Sequence, residues 1–352
     1  MNIRNEIKSR VEAVAKELSM RRLDAFFVTN ETNVSYLSGF EGHDSMLLIT
    51  QSARFFITDS RYAEEAKAAV NEFGIEVVRS STYETLEELK SENNLKRIGF
   101  ESMDLPYEAA ARLKAKTKGV ELVPIAGLVE ALRSIKSAPE VKLIKRSIRL
   151  AREVMTIVSR KVKPGATEKS LSDIIDIEFI KKGARSSFEP IVAAGKNSSR
   201  PHARPTGLKI PNNTFVMLDI GCSLDGYNSD ITRMAALGKI SAEFKNIYAV
   251  VKEAEERAIR KIRPGEKISS VDEAARGFIK DEGFEKFFGH ALGHGVGMSV
   301  HEEPTISKKT EGALKTGMVF TIEPAVYIPD LGGVRIEDMV LVTKNGCEVL
   351  TR

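Results

Sequence analysis

Apolar positions change their period along the first third of the chain. From residue 5 to about 18 they fall at helical spacing, and Leu23-Asp24-Ala25-Phe26-Phe27-Val28-Thr29 then reads as a short buried strand. Strand-like runs over 45–50 and 54–58 lead into a helix over about 62–70. Residues 74–79, 96–100 and 120–124 again have strand character, separated by helical stretches at 83–93 and 107–116. Strands alternating with helices predict a three-layer α/β domain over residues 1–128.

The pattern then lengthens. Pro139-Glu140 opens an amphipathic helix running to about 162, with proline at an early helical position where its missing N–H costs nothing. A second long helix is predicted over 241–262 behind the capping Ser241, and each stops at a Pro-Gly pair, Pro164-Gly165 and Pro264-Gly265. Shorter helices follow at 168–182 and 270–282, closed by Gly183 and Gly283, and strands and hairpins come after them in both halves.

This part of the chain is written twice. Lys161-Val162-Lys163-Pro164-Gly165 recurs as Lys261-Ile262-Arg263-Pro264-Gly265, and Phe179-Ile180-Lys181 as Phe278-Ile279-Lys280. His202-Ala203-Arg204-Pro205-Thr206 recurs as His301-Glu302-Glu303-Pro304-Thr305. Helices grouped before strands in each copy predict an antiparallel sheet with helices on one face, an α+β second domain over residues 129–352 with an internal pseudo-two-fold repeat.

Composition narrows the class. Of 352 residues 42% are hydrophobic and 29% charged, enough to bury a core in each of two domains. A net charge of +4, dispersed over 53 basic and 49 acidic residues, argues against a nucleic-acid groove. The charged start Met1-Asn2-Ile3-Arg4-Asn5-Glu6-Ile7-Lys8 has no signal-peptide core, and no apolar run is long enough for a membrane helix. Two distant cysteines, Cys222 and Cys347, indicate no disulfide framework, so a cytoplasmic setting is expected.

Each copy ends in a hairpin with two acids where apolar residues would be expected. Asp219 closes the run Phe215-Val216-Met217-Leu218 and Asp230 follows on the return strand; Glu323 and Glu337 hold the matching places in the second copy. A four-residue turn at Ser223-Leu224-Asp225-Gly226 would set Asp219 opposite Asp230, and a turn centred on Asp330 would set Glu323 opposite Glu337. Facing side chains lie about 4.5–5.5 Å apart at Cβ, and like charges so placed repel unless a proton or metal sits between them. One such acid alone would be a solvated strand residue; four at matching positions point to cations.

Four of the five histidines, His202, His290, His294 and His301, fall in the duplicated region. His290 and His294 are four apart, but Ala291 stands where a zinc-peptidase helix needs glutamate, and the glycines around them break helix. The stretch from Gly289 to Gly297 instead reads as a Gly-rich strand and turn that lets backbone approach a metal and presents one or two imidazoles. One imidazole with four carboxylates suits two divalent ions, Mn²⁺ foremost, with Co²⁺, Fe²⁺ or Zn²⁺ as alternatives. A water shared by such a pair becomes hydroxide near neutral pH, which is hydrolytic machinery.

At these residues the chain resembles the pita-bread metallopeptidases, the family of methionine aminopeptidase, aminopeptidase P and prolidase. The stretches Leu218-Asp219-Ile220-Gly221, Tyr227 to Arg233, His290 to Pro304, Thr321-Ile322-Glu323-Pro324 and Val334 to Asp338 carry the likeness. Asn30 to Phe40 and Thr58-Asp59-Ser60-Arg61-Tyr62 resemble the creatinase-like N-terminal domain of the proline-specific branch. The resemblance implies Asp219 as a ligand of one metal, Asp230 and Glu337 as bridges, and His294 and Glu323 as ligands of the second. It places His202 and His301 at the scissile bond, makes Glu323 a proton shuttle, and gives His290 and Arg335 supporting places around the ligands.

The implied activity is that of an Xaa-Pro aminopeptidase, a metal-bridged hydroxide attacking the bond before a penultimate proline. An Xaa-Pro dipeptidase acting on dipeptides only is the alternative, and a non-catalytic peptide-binding member of the fold comes third. Peptides with penultimate proline are the expected partners, with no nucleic acid and no membrane. The resemblance also suggests a homodimer.

Overall fold

The computed structural model describes residues 3–352, so Met1 and Asn2 of the charged N-terminal run lie outside the described residues. The chain forms two compact units, one ending at Arg133 and the other beginning at Ser134. Residue 128 ended the expected first domain; the short helix that follows, with Leu128 and Val129 buried, belongs to the first unit as well.

In chain order the first unit contains α1 (Ile3–Arg21), β1 (Ala25–Val28), α2 (Glu31–Ser38), β2 (Met46–Thr50), β3 (Arg54–Thr58) and α3 (Ala63–Ala69). It continues with β4 (Gly74–Val77), α4 (Thr82–Glu92), β5 (Arg97–Glu101), α5 (Tyr107–Lys116), β6 (Glu121–Ile125) and α6 (Leu128–Arg133). The strands join in the order β4-β3-β2-β1-β5-β6, with β2 antiparallel to both its neighbours and the remaining pairs parallel. All four residues of β1 are buried, as expected of a strand covered on both faces. Ala25, Phe27, Leu48, Ile57 and Ile98 pack with Leu86, Leu89 and Leu113 of α4 and α5 into one core.

The periodicity gave no sign of α2, whose sequence Glu-Thr-Asn-Val-Ser-Tyr-Leu-Ser is poor in strong helix formers. Its ends do the work: the Asn30 side chain accepts from the Asn33 N–H, and Gly39 takes a left-handed φ of 76° after the last turn.

The second unit opens with α7 (Ala138–Ser159), α8 (Glu168–Lys181), β7 (Arg185–Ser186), β8 (Ile191–Ala194), β9 (Thr214–Ile220), β10 (Cys222–Leu224), β11 (Tyr227–Asn228) and β12 (Ile231–Leu237). The second copy follows as α9 (Ala242–Lys261), α10 (Ile268–Asp281), β13 (Gly293–Gly295), β14 (Glu302–Ile306), β15 (Val319–Ile322), β16 (Ala325–Ile328), β17 (Gly332–Arg335), β18 (Asp338–Val342) and β19 (Cys347–Val349). Each copy is a long helix, a short helix and an antiparallel sheet, β12-β9-β8 in the first and β14-β13-β15-β18-β19 in the second. Val154, Leu171 and Ile175 pack on Leu218 and Ile220, and Val251, Val271 and Ala275 on Phe320 and Ile322. The expected α+β organisation with helices over antiparallel sheet is the one found.

The two hairpins differ in how well turn chemistry foretold them. Ala325 pairs with Arg335 and Ile322 with Asp338, so Glu323 and Glu337 lie in the expected register where the ribbon breaks between sheets. In the first copy Leu224 pairs with Tyr227 and Asp219 with Thr232, not with Asp230. The turn is Asp225-Gly226, with φ of 50° and 76°, a two-residue loop with both central residues at positive φ. The slip from the expected register is two residues, so side-chain parity is kept and Asp230 stays on the face of Asp219 as a diagonal neighbour.

Candidate metal centre

Strand parity and the breaks between sheets bring four acids and one imidazole to one place. Asp219 lies on β9, Asp230 in the break before β12, Glu323 and Glu337 in the breaks flanking β16 and β17, and His294 in the middle of β13. Ligand atoms of Asp230, His294 and Glu337 all lie within 4.8 Å of one another. His294 Nε2 is 3.3 Å from Glu323 Oε1 and 3.7 Å from Asp230 Oδ2. Asp219, Asp230 and Glu337 are almost wholly buried.

The glycines around His294 have a different purpose from the one expected. A Cβ on Gly293 would come within 1.9 Å of the Thr321 carbonyl oxygen, and one on Gly295 within 2.2 Å of that of Glu303. They allow β13 to press against the neighbouring chain, and that contact holds His294 in place.

Hydrogen bonds fix the tautomers of the two half-buried histidines, His290 and His294. Nδ1 of His294 lies 3.1 Å from the Gly295 carbonyl, which can only accept, so this nitrogen carries the proton and Nε2 turns a bare lone pair toward the acids. Burial, reinforced by His301, lowers the His294 pKa to about 4, so the ring is neutral at ordinary pH. In the same way Nδ1 of His290 donates to the Ala291 carbonyl at 2.7 Å, and Nε2 accepts from the Tyr327 hydroxyl at 3.3 Å. Burial lowers its pKa too, to about 4.

Arg335 ties the acids together. Its guanidinium donates to Asp219 Oδ2 at 2.5 Å, Thr232 Oγ1 at 3.1 Å, the Tyr327 hydroxyl at 2.6 Å and the Pro201 carbonyl at 3.1 Å. Thr232 in turn donates to Glu337 Oε2 at 2.6 Å. Thr321 receives the His294 N–H at 3.0 Å and donates to Glu323 Oε1 at 3.1 Å. Thr232, Thr321 and Tyr327 have no role in the sequence reading, although period-two spacing from Asp230 and Glu323 puts all three on the acids' face. Tyr227, by contrast, packs in an apolar cluster and donates to Glu140.

The electrostatics ask for positive charge. Burial pushes the Asp230 carboxyl well above its usual range, and Glu337, Asp219 and Glu323 add to the shift. Burial likewise raises Glu337 far above normal and Glu323 to about 7, even with Arg335 opposing. Asp219 Oδ1 is buried with no hydrogen-bond partner. Among the described residues the guanidinium of Arg335 pairs with Asp219 alone of the four acids, and the bare His294 nitrogen adds a fifth acceptor group. A cluster this rich in oxygen acceptors and poor in donors fits hard divalent cations.

His202 and His301 stand at the exposed side. The His301 ring lies 4.1 Å, centroid to centroid, from that of His294, and burial together with His202 lowers its pKa. Both histidines are solvent-accessible, as groups that meet a substrate must be.

An α/β unit ahead of a duplicated α+β unit, with buried acids and an imidazole converging at the duplication, is the architecture of a metal-dependent peptidase. The chain belongs to metallopeptidase family M24, which it matches over residues 142–344; residues 10–135 match the creatinase/prolidase N-terminal domain. It is 33% identical to an Xaa-Pro dipeptidase of Pyrococcus horikoshii over 100% of this chain and 98% of the relative. An Xaa-Pro dipeptidase structure from Bacillus anthracis superposes with a TM-score of 0.95 at 34% identity, covering 98% of each chain. An X-Pro aminopeptidase structure from Thermotoga maritima gives 0.87 at 32% identity, covering 95% of this chain and 97% of that one. The protein is a hydrolase of the peptidase class, with the pita-bread fold implied by its motifs. Among its described residues no helix is long and apolar enough to cross a membrane.

Proposed function

We propose that this chain is an Xaa-Pro dipeptidase in which Asp219, Asp230, His294, Glu323 and Glu337 hold two divalent cations, Mn²⁺ foremost. The carrying observation is the excess of acceptors over donors: buried carboxyls and a bare imidazole nitrogen converge, and Asp219 Oδ1 has no protein donor. Asp230 and Glu337, near each other and to His294, suit the bridging places; Asp219 suits one metal, His294 and Glu323 the other. Bound cations would supply Lewis acidity, making a water acidic enough to deprotonate near neutral pH and polarising the scissile carbonyl.

The chain's own groups do the rest. Glu323 Oε1, steadied by the Thr321 hydroxyl, takes a proton and returns it to the leaving proline nitrogen. His202 and His301, at the exposed side, bind the substrate and donate to its carbonyl oxygen as charge develops there. Arg335 holds Asp219 and Thr232, and the Tyr327–His290 pair holds Arg335. The reading includes a homodimer in the cytoplasm, a reducing setting in keeping with two free cysteines.

Likeness to Xaa-Pro dipeptidases supports cleavage of dipeptides and reverses the order of the two readings drawn from the sequence. Likeness to the Thermotoga aminopeptidase supports the second reading, release of an N-terminal residue from longer peptides. Product analysis on Xaa-Pro and Xaa-Pro-Yaa peptides, with Mn²⁺ and Co²⁺ added in turn, separates them. Turnover of the dipeptide alone is expected; faster turnover of the tripeptide would make the chain an aminopeptidase, and turnover of neither would remove the proline-directed reading.

A further inference from the structure

His202 and His301 occupy matching places in the two copies, yet their backbones are anchored differently. His301 directly precedes β14, so pairing of β14 with β13 fixes its main chain. His202 stands in irregular chain between β8 and β9. An irregular segment that must present an imidazole to substrate needs another anchor.

Glu168, at the first turn of α8, supplies one. Its carboxylate is 3% exposed and accepts from the Ala194 N–H at 2.7 Å, Asn197 Nδ2 at 2.9 Å, the Thr206 N–H at 2.9 Å and Thr206 Oγ1 at 2.7 Å. These donors stand at both ends of the segment 194–206, so a single carboxylate closes it. Further in, Ser198 Oγ accepts from the Gly333 N–H, the Pro201 carbonyl accepts from Arg335, and Ala203 packs beside Met217 and Tyr327. Among the described residues no lysine or arginine pairs with Glu168; these hydrogen-bond donors, at the first turn of α8, are its partners.

The repeat shows that the fold itself does not require an acid here. Counting from the Pro-Gly pairs, the second copy has Ile268 at this place, 4% exposed in the apolar core, with its N–H donating to the Gly312 carbonyl. A buried carboxylate replaces an apolar residue only in the copy whose histidine lacks a strand to hold it.

We propose that Glu168 is a positioning residue that acts through His202, closing the segment 194–206 so that the imidazole is held at the substrate. The inference rests on His202 contacting substrate. Displacement of a positioned group by about 1 Å costs up to about 100-fold in rate, so Glu168→Gln, which replaces one accepting oxygen by an NH2 group facing the donors at one end of the segment, should lower kcat/KM about 10- to 100-fold.

A double-mutant cycle with His202→Ala tests it on the metal-loaded enzyme, with bound metal measured in each variant. Once His202 is gone, Glu168→Gln should cost less than about twofold more, with metal content unchanged. An unchanged His202→Ala enzyme would refute the substrate contact and the inference with it. A costly His202→Ala combined with a silent Glu168→Gln, with additive losses, or with lost metal would overturn the Glu168 role alone. Should Glu168→Gln not fold, Thr206→Val removes one of the four donors and takes its place in the same cycle, read in the same way.

Discussion

Buried carboxyls occur in both units, and their surroundings are opposite. Glu101 of the first unit, 4% exposed, accepts from the Thr29 N–H at 2.6 Å, the Asn30 N–H at 2.7 Å and Asn33 Nδ2 at 2.6 Å. Burial raises its pKa to about 6, the donors working against the shift. Asp219, Asp230, Glu323 and Glu337 of the second unit face one another and a bare imidazole nitrogen, with Arg335 the one guanidinium among them. Burial alone therefore does not mark a metal site. What separates the two is the balance around the oxygens: at Glu101 backbone and amide N–H groups converge on one carboxyl, whereas at the second cluster four carboxyls and an imidazole nitrogen share few donors and Asp219 Oδ1 has none.

The largest effect expected from this contrast comes from deleting one of the two acids proposed as bridges. Asp230→Ala or Glu337→Ala should strip bound metal and lower turnover by more than ~100-fold, the loss that even an outer partner of a metal ligand can cause. A metal-loaded, active Glu337→Ala enzyme would put Glu337 on the structural side of the comparison.

The pH dependence of stability comes next. In metal-free protein Glu323, raised from 4.5 to about 7, keeps its proton when folded over a range in which the unfolded chain has lost it. Its contribution is therefore complete below pH 4.5 and is lost as the pH rises through 7, on the order of 3 kcal/mol. Glu101, raised from 4.5 to about 6, loses its own contribution of about 2 kcal/mol as the pH rises through 6. On the proposed metal site, saturating Mn²⁺ takes up the deprotonated form and should abolish the first slope while leaving the second. Urea midpoints at pH 5 and 7, with and without Mn²⁺, measure the difference; equal slopes in both series would erase it.

The smallest effect belongs to the first unit. Glu101→Ala leaves the Thr29 and Asn30 N–H groups without their acceptor and should cost about 1–3 kcal/mol in denaturant unfolding, with bound metal per chain unchanged. Loss of metal in that variant would contradict a purely structural role for Glu101.

Much of this was legible before the fold was seen. The strands and most helices of the first unit start and stop within a residue or two of where periodicity puts them, the central strands β1, β2 and β3 because they bury continuous apolar runs. The helix α2 escaped because caps, and not apolar spacing, define it. In the second unit the repeated words located both copies, and the turn centred on Asp330 gave the register of Glu323 and Glu337. The first hairpin was read two residues out because Asp225-Gly226 was taken as half of a longer turn. An even slip leaves every side chain on its face, so the acid pair survived the error.

Sequence by itself determined the repeat, the acids within it and their parity, since these follow from local period and turn chemistry. The tertiary structure alone decided which oxygens find donors. Arg335 reaching Asp219 and Thr232, Thr232 reaching Glu337, and Glu168 gathering both ends of the His202 segment are all contacts between residues far apart in the chain. Hydrogen-bond partners at such separations are set by how sheets and helices pack, and no local pattern encodes them.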